Sequence, residues 1–376
     1  MVAGGRKKIT LKDIAQRAEV STALVSNILN GKGRASEKVR TKVLGMLEEA
    51  GYRPKYARRS FFFLLDLDRI TGSGKTIPVM KMLKGAEQTL ADEGIHLQVE
   101  FLSSNGNDRP RTVTQQMEAI LERRPGGVFI GTDESWLERA CSFFEKAGVP
   151  VVQIGYDTEL ARYRAVVVDG FSGAYAAVQY LADAGHQRIG TLRWEWGLSG
   201  VNSTKKHAGF RAAMAERGLA VRDEYIKSMA VEQGNPDWHP SRVLVDELLA
   251  LPEPPTALFV ENSWTSVPLL YPLPEDRSKL PESLSALEMV HFEDWPLDPV
   301  EDIVSGKLAY PSRMSTVLAI DWEAIGRYAA RMLVDTVRDN NTAETRIVRL
   351  APVLQQIQGF SRKPIEFTHE PTGGKS

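Results

Sequence analysis

The residues best placed for chemistry in this 376-residue chain lie on one short predicted helix near its start. Across residues 22–29, Val25, Ile28 and Leu29 fall on one stripe, while Thr22, Ala23, Ser26, Asn27 and, just beyond, Asn30 fall on the other. The second stripe is small and polar. Such side chains fit a major groove, where hydroxyls and amides hydrogen-bond to base edges and a methyl group packs on thymine. A solvated face on an unrelated small helical domain is the competing reading, and the charge distribution weighs against it. Residues 1–60 hold 14 Lys+Arg against 5 Asp+Glu, a net +9, whereas residues 61–376 carry −10. A basic arm on an acidic body points to a polyanion partner for the N-terminus alone.

Other chemical signals fail on spacing. Gly72-Ser73-Gly74-Lys75-Thr76 has the look of a phosphate loop, but a Walker A motif needs glycine five positions before Gly74, where Arg69 stands. The six histidines are scattered, with no two four apart as a zinc-binding helix would place them, and no Gly-x-Ser-x-Gly elbow occurs. Cys141, the single cysteine, falls in a helical apolar pattern and reads as a small core residue. No cofactor, metal or catalytic constellation is indicated, so the expectation is a protein that is not an enzyme. The basic start is followed by no apolar leader, and no run of 18 apolar residues exists for a membrane span, which gives a cytoplasmic expectation.

The base-reading stripe needs a frame to hold it. Thr10 can cap a helix over 10–18 with Asp13 as its capping-box partner, and Leu11, Ile14, Ala15 and Ala18 share one face. Glu19-Val20 makes a turn, and Ser21 caps the second helix. A third, over 36–50, turns Val39, Val43, Leu47 and Ala50 inward. Three short helices with a tight turn between the first two make the helix-turn-helix plan. Beyond it the chain alternates strand and helix signals. Strands are expected at 61–65, 97–101, 127–130, 149–152, 166–169, 188–192, 257–260 and 287–290. Helices are expected at 79–93, 112–123, 136–146, 173–184, 205–217 and 322–337, and an apolar stretch at 347–357. Repeated βαβ units over about 300 residues imply parallel sheets in two lobes, with a cleft between facing strand ends.

Thr10-Leu11-Lys12-Asp13-Ile14-Ala15, Val20-Ser21, Val25-Ser26, Leu29-Asn30-Gly31 and Gly51-Tyr52-Arg53-Pro54 together closely resemble the lac-repressor (LacI) family of bacterial transcription regulators. The resemblance implies DNA contacts from Thr10, Lys12, Ser21, Thr22, Ala23, Ser26, Asn27, Asn30 and Arg34. In this reading Thr22, Ala23 and Asn27 set base preference, and Ser21, Asn30, Lys12 and Arg34 hold phosphates. It also implies a hinge after Pro54, helical on DNA, whose terminal apolar residue wedges into the minor groove and kinks the duplex. Counted from the proline, that wedge is Phe61; Lys55 and Arg58 stand where the family carries an asparagine and a small residue.

The resemblance continues through Ala182-Asp183-Ala184-Gly185-His186 and His207-Ala208-Gly209-Phe210, and implies a type I periplasmic-binding-protein-like body. The expected divisions are a head at 9–52, a hinge at 53–61, an effector-binding and dimerisation domain at 62–360, and a disordered tail at 361–376. Within the body the N-lobe takes about 62–165 plus 315–340, and the C-lobe about 166–314 plus 341–360. Lys206 falls at the family's ligand-binding arginine, Asn262 at its asparagine and Glu293 at its aspartate; Trp264 and Trp194 stand at strand ends where a ring could cover a sugar. Pro268, Pro272 and Pro274 interrupt what the family builds as a helix, so effector identity does not carry over. The resulting expectation is a homodimeric repressor of a pseudo-palindromic operator, controlled by a small-molecule effector of carbohydrate type. A solute-binding protein or a cleft enzyme sharing the two-lobed body remain the alternatives.

Overall fold

The computed structural model of the chain describes residues 9–29, 35–50, 60–66, 76–102, 112–131, 136–157, 164–194, 199–229, 240–262, 287–293, 316–339, 345–358 and 361–364. Among the described residues the head has three helices, α1 (Leu11–Ala18), α2 (Thr22–Leu29) and α3 (Glu37–Glu49). Thr10 starts α1 through a capping box: Asp13 N donates to Thr10 Oγ1 at 3.3 Å, and Thr10 N donates to the Asp13 carboxylate at 2.8 Å. Glu19 ends it in the left-handed region, φ 60° and ψ 43°. That reversal lets Val20 N donate to Ala15 O at 3.0 Å. Ser21 Oγ then accepts from Leu24 N at 3.1 Å and caps α2. Ile14, Ala15, Ala18, Val25, Ile28, Leu29, Val43 and Leu47 close one small core among the three helices.

The body begins with β1 (Ser60–Asp66), α4 (Thr76–Asp92), β2 (His96–Leu102), α5 (Val113–Glu122), β3 (Gly127–Gly131), α6 (Leu137–Lys146), β4 (Val151–Tyr156) and β5 (Arg164–Val168). It continues with α7 (Gly170–Asp183), β6 (Ile189–Trp194), α8 (Ser199–Glu216), β7 (Ile226–Met229), α9 (Pro240–Leu249), β8 (Ala257–Val260) and β9 (Glu288–Glu293). The last elements are β10 (Thr316–Ala319), α10 (Trp322–Asp339), β11 (Ile347–Leu350), β12 (Val353–Gln358) and β13 (Ser361–Pro364).

The described strands form two sheets. The N-lobe sheet, in the order β11-β5-β4-β3-β1-β2, is parallel throughout. Its inner strands are buried on both faces, which is why β1 reads as an unbroken run, Phe61 to Leu65, and β5 as Ala165 to Val168. The C-lobe sheet, β13-β12-β10-β9-β8-β6-β7, is parallel from β7 to β10 and antiparallel at β12 and β13. Among the described elements three connections pass between the lobes: β5 to α7, β10 to α10, and β11 to β12.

These crossings correct the expected lobe boundaries. Residues 316–319 pair within the C-lobe sheet and only α10 returns to the N-lobe, while β11 pairs in parallel with β5 at the N-lobe edge. The apolar stretch 347–357 is thus two strands in two sheets, parted at Ala351-Pro352. The tail expected to be disordered from residue 361 starts instead with β13, antiparallel to β12.

In the N-lobe, α4 and α10 approach backbone to backbone. A Cβ on Gly85 would stand 2.0 Å from Glu323 O, and one on Gly326 would stand 2.1 Å from Met82 O. Only glycine at both positions permits that crossing, which buries Met82, Ala86, Ala329 and Leu333 in the core.

Candidate functional site

The head presents the anticipated stripe. Thr22, Ala23 and Asn27 are exposed on α2 and Ser26 is half-buried, opposite the buried Val25, Ile28 and Leu29. Thr10, Lys12 and Ser21 are exposed around its start, with Thr10 and Ser21 also serving as helix caps. The head therefore has a surface of short polar side chains, held rigidly by a closed core beneath. Asn30, Arg34, Lys55 and Arg58 lie outside the described residues.

Phe61 does not fit the wedge role. It is 0% exposed inside β1, in register with Leu97 of β2 and Gly127 of β3, and its ring meets Phe129 edge-on at 6.2 Å. Counting from Pro54 places the wedge at position 61, but the strand has already begun at Ser60. Leaving a core of this kind costs a phenylalanine about 3–5 kcal/mol, on the scale of Phe→Ala truncations. The residue belongs to the sheet.

In the C-lobe, the register of β6, β8 and β9 aligns Leu192 with Val260 and Val260 with His291. Continued past the strand ends, it sets Arg193, Glu261 and Phe292 in one row and Trp194, Asn262 and Glu293 in the next. Three of the residues singled out from sequence thus stand together at the carboxyl edge of adjacent strands, where open α/β sheets bind ligands. Asn262 is buried; the side chains of Trp194 and Glu293, and all of Trp264, lie outside what is described.

Lys206 comes to this edge from α8. It is 2% exposed, its ammonium donates to Glu261 O at 2.5 Å, and it sits 3.8 Å from the centre of the Phe292 ring. A carbonyl and a π face both favour the cation in a place that excludes water. The Glu261 carboxylate, 1% exposed, accepts from Ser203 Oγ and has Arg193 Nε 3.6 Å away. Sequence reasoning passed over Glu261, Ser203 and Arg193. Glu261 could have been found: a carboxylate directly after a fully buried four-residue strand needs a reason to be there.

The neighbouring lysine faces the other lobe. Lys205 Nζ lies 4.0 Å from the Asp157 carboxylate, just past the end of β4. Asp157 is buried and also accepts from Arg349 of β11, at 2.8 Å from Nε and 3.4 Å from Nη2. That hydrogen bond is the main cause holding the Arg349 pKa above its ordinary value. Two adjacent residues of α8 therefore reach into two lobes. Beside them Tyr156, the last residue of β4, meets Trp322 edge-on at 5.5 Å. The Trp322 indole N–H is buried, with no hydrogen-bond acceptor among the described residues. On the N-lobe side Asp66 ends β1, where the strand order reverses between β2 and β3; it is buried and accepts from Trp136 Nε1 at 3.3 Å. The carboxyl ends of strands in both lobes thus carry buried charged and aromatic side chains. Among the described residues no helix is long and apolar enough to cross a membrane, and no cluster of His, Cys, Asp and Glu could hold a metal ion.

A helix-turn-helix head joined to a two-lobed, cleft-bearing α/β body defines a class of ligand-responsive DNA-binding proteins. Residues 10–55 match the profile described as bacterial regulatory proteins, lacI family, and residues 178–356 match the periplasmic binding protein-like domain. The catabolite control protein A of Priestia megaterium is 27% identical over 348 residues, covering 91% of this chain and 96% of that protein. A transcriptional regulator CelR–cellobiose complex has a similar fold, with TM-score 0.56 and 20% identity over 92% of this chain and 98% of that one. The lac repressor dimer bound to operator and the anti-inducer ONPF gives TM-score 0.56 and 17% identity over 93% and 98%. Head and body together are thus similar to the lacI family of bacterial regulatory proteins and its relatives.

Proposed function

We propose that this protein is a sequence-specific transcription repressor that binds a pseudo-palindromic operator as a homodimer and is controlled by a small molecule held between its lobes. The observation that carries the DNA-reading half is the exposed stripe Thr22, Ala23 and Asn27 on a capped helix with a closed core behind it. An asparagine amide can pair with two groups of one adenine, whereas a lysine set against the phosphates senses only their charge. The effector half is supported by the buried row under Lys206 and by the unpartnered indole N–H of Trp322, a donor suited to an acceptor oxygen on a ligand. The cellobiose complex of a similarly folded regulator directs the first search to oligosaccharides.

Dimerisation has its own support. Strand β2 is the edge of the N-lobe sheet among the described strands, and it exposes Val99 and Phe101; the adjoining α4 exposes Met80. An open, apolar sheet edge invites a covering surface, and a second copy supplies one.

The test is a gel shift on duplexes selected from a random pool, with Asn27→Ala and Lys12→Ala compared. Asn27→Ala should alter which duplexes are preferred, at a loss of about 1–3 kcal/mol on the best site. Lys12→Ala should weaken all duplexes alike and reduce the salt slope by about 1. Equal losses for both variants on every sequence would remove the reading.

A further inference from the structure

We propose that Lys205, Asp157 and Arg349 form a charge clasp between the lobes, which favours the lobe arrangement described above over any in which α8 and β4 part. The proposal deepens, and rests on, the reading of a ligand held between the lobes, because it gives that site a bias set by the protein's own charges. Asp157 follows β4 in the N-lobe and is buried. Its own lobe supplies the first cation, Arg349 of β11, at 2.8 Å from Nε and 3.4 Å from Nη2. Register brings the two together, since Arg349 aligns with Val167 of β5, and Val167 with Gly155 of β4. The second cation comes from the other lobe: Lys205 Nζ on α8 is 4.0 Å from the same carboxylate. A carboxylate offers about four acceptor positions, so Arg349 leaves room for Lys205.

The clasp lies beside two of the crossings about which the lobes turn. Arg349 comes just before Ala351-Pro352, where the chain leaves the N-lobe, and Asp169 N donates to Leu350 O at 2.9 Å, tying that crossing to the one from β5 to α7. Helix α8 is fixed to the same place. A Cβ on Gly209 would stand 2.2 Å from Phe171 O, so the α8 backbone touches the first turn of α7. The two helices therefore move as one body, and Lys205 keeps or loses Asp157 according to the angle between the lobes. Lys206, the next residue, is anchored within the C-lobe on Glu261 O, which leaves Lys205 as the α8 lysine that reaches across. The Lys205 side chain is 38% exposed, so water and salt screen the contact. A pair of that exposure shifts a two-state equilibrium by no more than about fivefold. Such a bias sets how populated the ligand-competent arrangement is without locking the molecule in it.

The experiment measures the distance between the lobes in the full chain, with neither ligand nor DNA added, by pulsed electron spin resonance. Nitroxide labels go on Glu118→Cys in α5 and Asp246→Cys in α9, both exposed positions, while the buried Cys141 stays unlabelled. Dilution with unlabelled chain removes distances between copies. One distance should dominate at about 0.05 M salt, and a second should gain about two- to fivefold in population at about 0.5 M. Lys205→Met should show that gain already at low salt and respond little to more, and Lys205→Arg should restore the native distribution. A Lys205→Met distribution identical to the native one at low salt overturns the proposal. So does a Lys205→Met variant that responds to salt as fully as the native chain, or a Lys205→Arg variant that behaves like Lys205→Met. No ligand takes part, so a failed clasp leaves the effector reading to its own thermal-shift test, and a failed thermal-shift test leaves the lobe distances to judge the clasp.

Discussion

Glu19 sits at φ 60° in the turn that sets α2 against α1. A side chain in the left-handed region crowds the following carbonyl, a strain of roughly 1–2 kcal/mol that glycine avoids. Glycine in turn loses more backbone freedom on folding. The balance predicts that Glu19→Gly stabilises the head by about 0.5–1 kcal/mol, read as a higher urea midpoint for its helical signal. A lower midpoint would mean that the carboxylate makes a compensating contact. Lys206 gives the second residue-scale prediction. Lys206→Met keeps most of the volume over Phe292 but removes the donor to Glu261 O. Operator affinity without effector should stay within about twofold, while thermal-shift responses to an oligosaccharide panel, worth about 2.7 kcal/mol at a hundred times Kd, should vanish. Unchanged shifts would place the ligand elsewhere.

At the scale of elements, the α4–α10 crossing is the least tolerant junction in the N-lobe. Gly326→Ala puts a methyl against Met82 O, so the helices must part, at a destabilisation of about 1–3 kcal/mol. Gly85→Ala should do the same, and the pair together should cost less than the sum, because one separation relieves both clashes. Full additivity in urea titrations would argue against a shared contact. Element legibility follows burial. The head could be read almost to the residue because its caps are local: Thr10 with Asp13 and Ser21 with Leu24 lie three positions apart. Strands such as 257–260 declared themselves as compact apolar runs. Strands β7, β10 and β13 did not, being four residues each with little pattern, and α9 was missed as well. Lobe membership of β10 and β11 was illegible for a different reason. Which sheet a strand joins is decided by pairing across nearly 200 residues, as between Arg349 and Val167, and neither periodicity nor composition reports it. In the cleft, positions matched to the family were readable, but the Lys206–Glu261–Arg193 arrangement depends on register between strands. The misplaced wedge has the same origin: distance along the chain from Pro54 could not show that the strand had already started.

The whole molecule couples two readers, one of DNA and one of a ligand, through a body proposed to work in pairs. If β2 is the seam between copies, Phe101→Glu should set a carboxylate against its own symmetry mate at a desolvated contact. The variant should run as a monomer by light scattering at micromolar concentration and lose its preference for a two-half-site duplex over a single half-site. A variant that remains dimeric would move the seam off β2. The interlaced strand order also governs how the molecule comes into being. The N-lobe sheet lacks its β11 edge until residue 350 has been made, and lacks the α10 cover until residue 339. A ribosome therefore completes the three-helix head about 300 residues before the N-lobe sheet has all its described strands. During that interval the flank of β5 waits for its partner strand, and a chain released there keeps the closed core of the head but lacks the edge of its own sensor sheet.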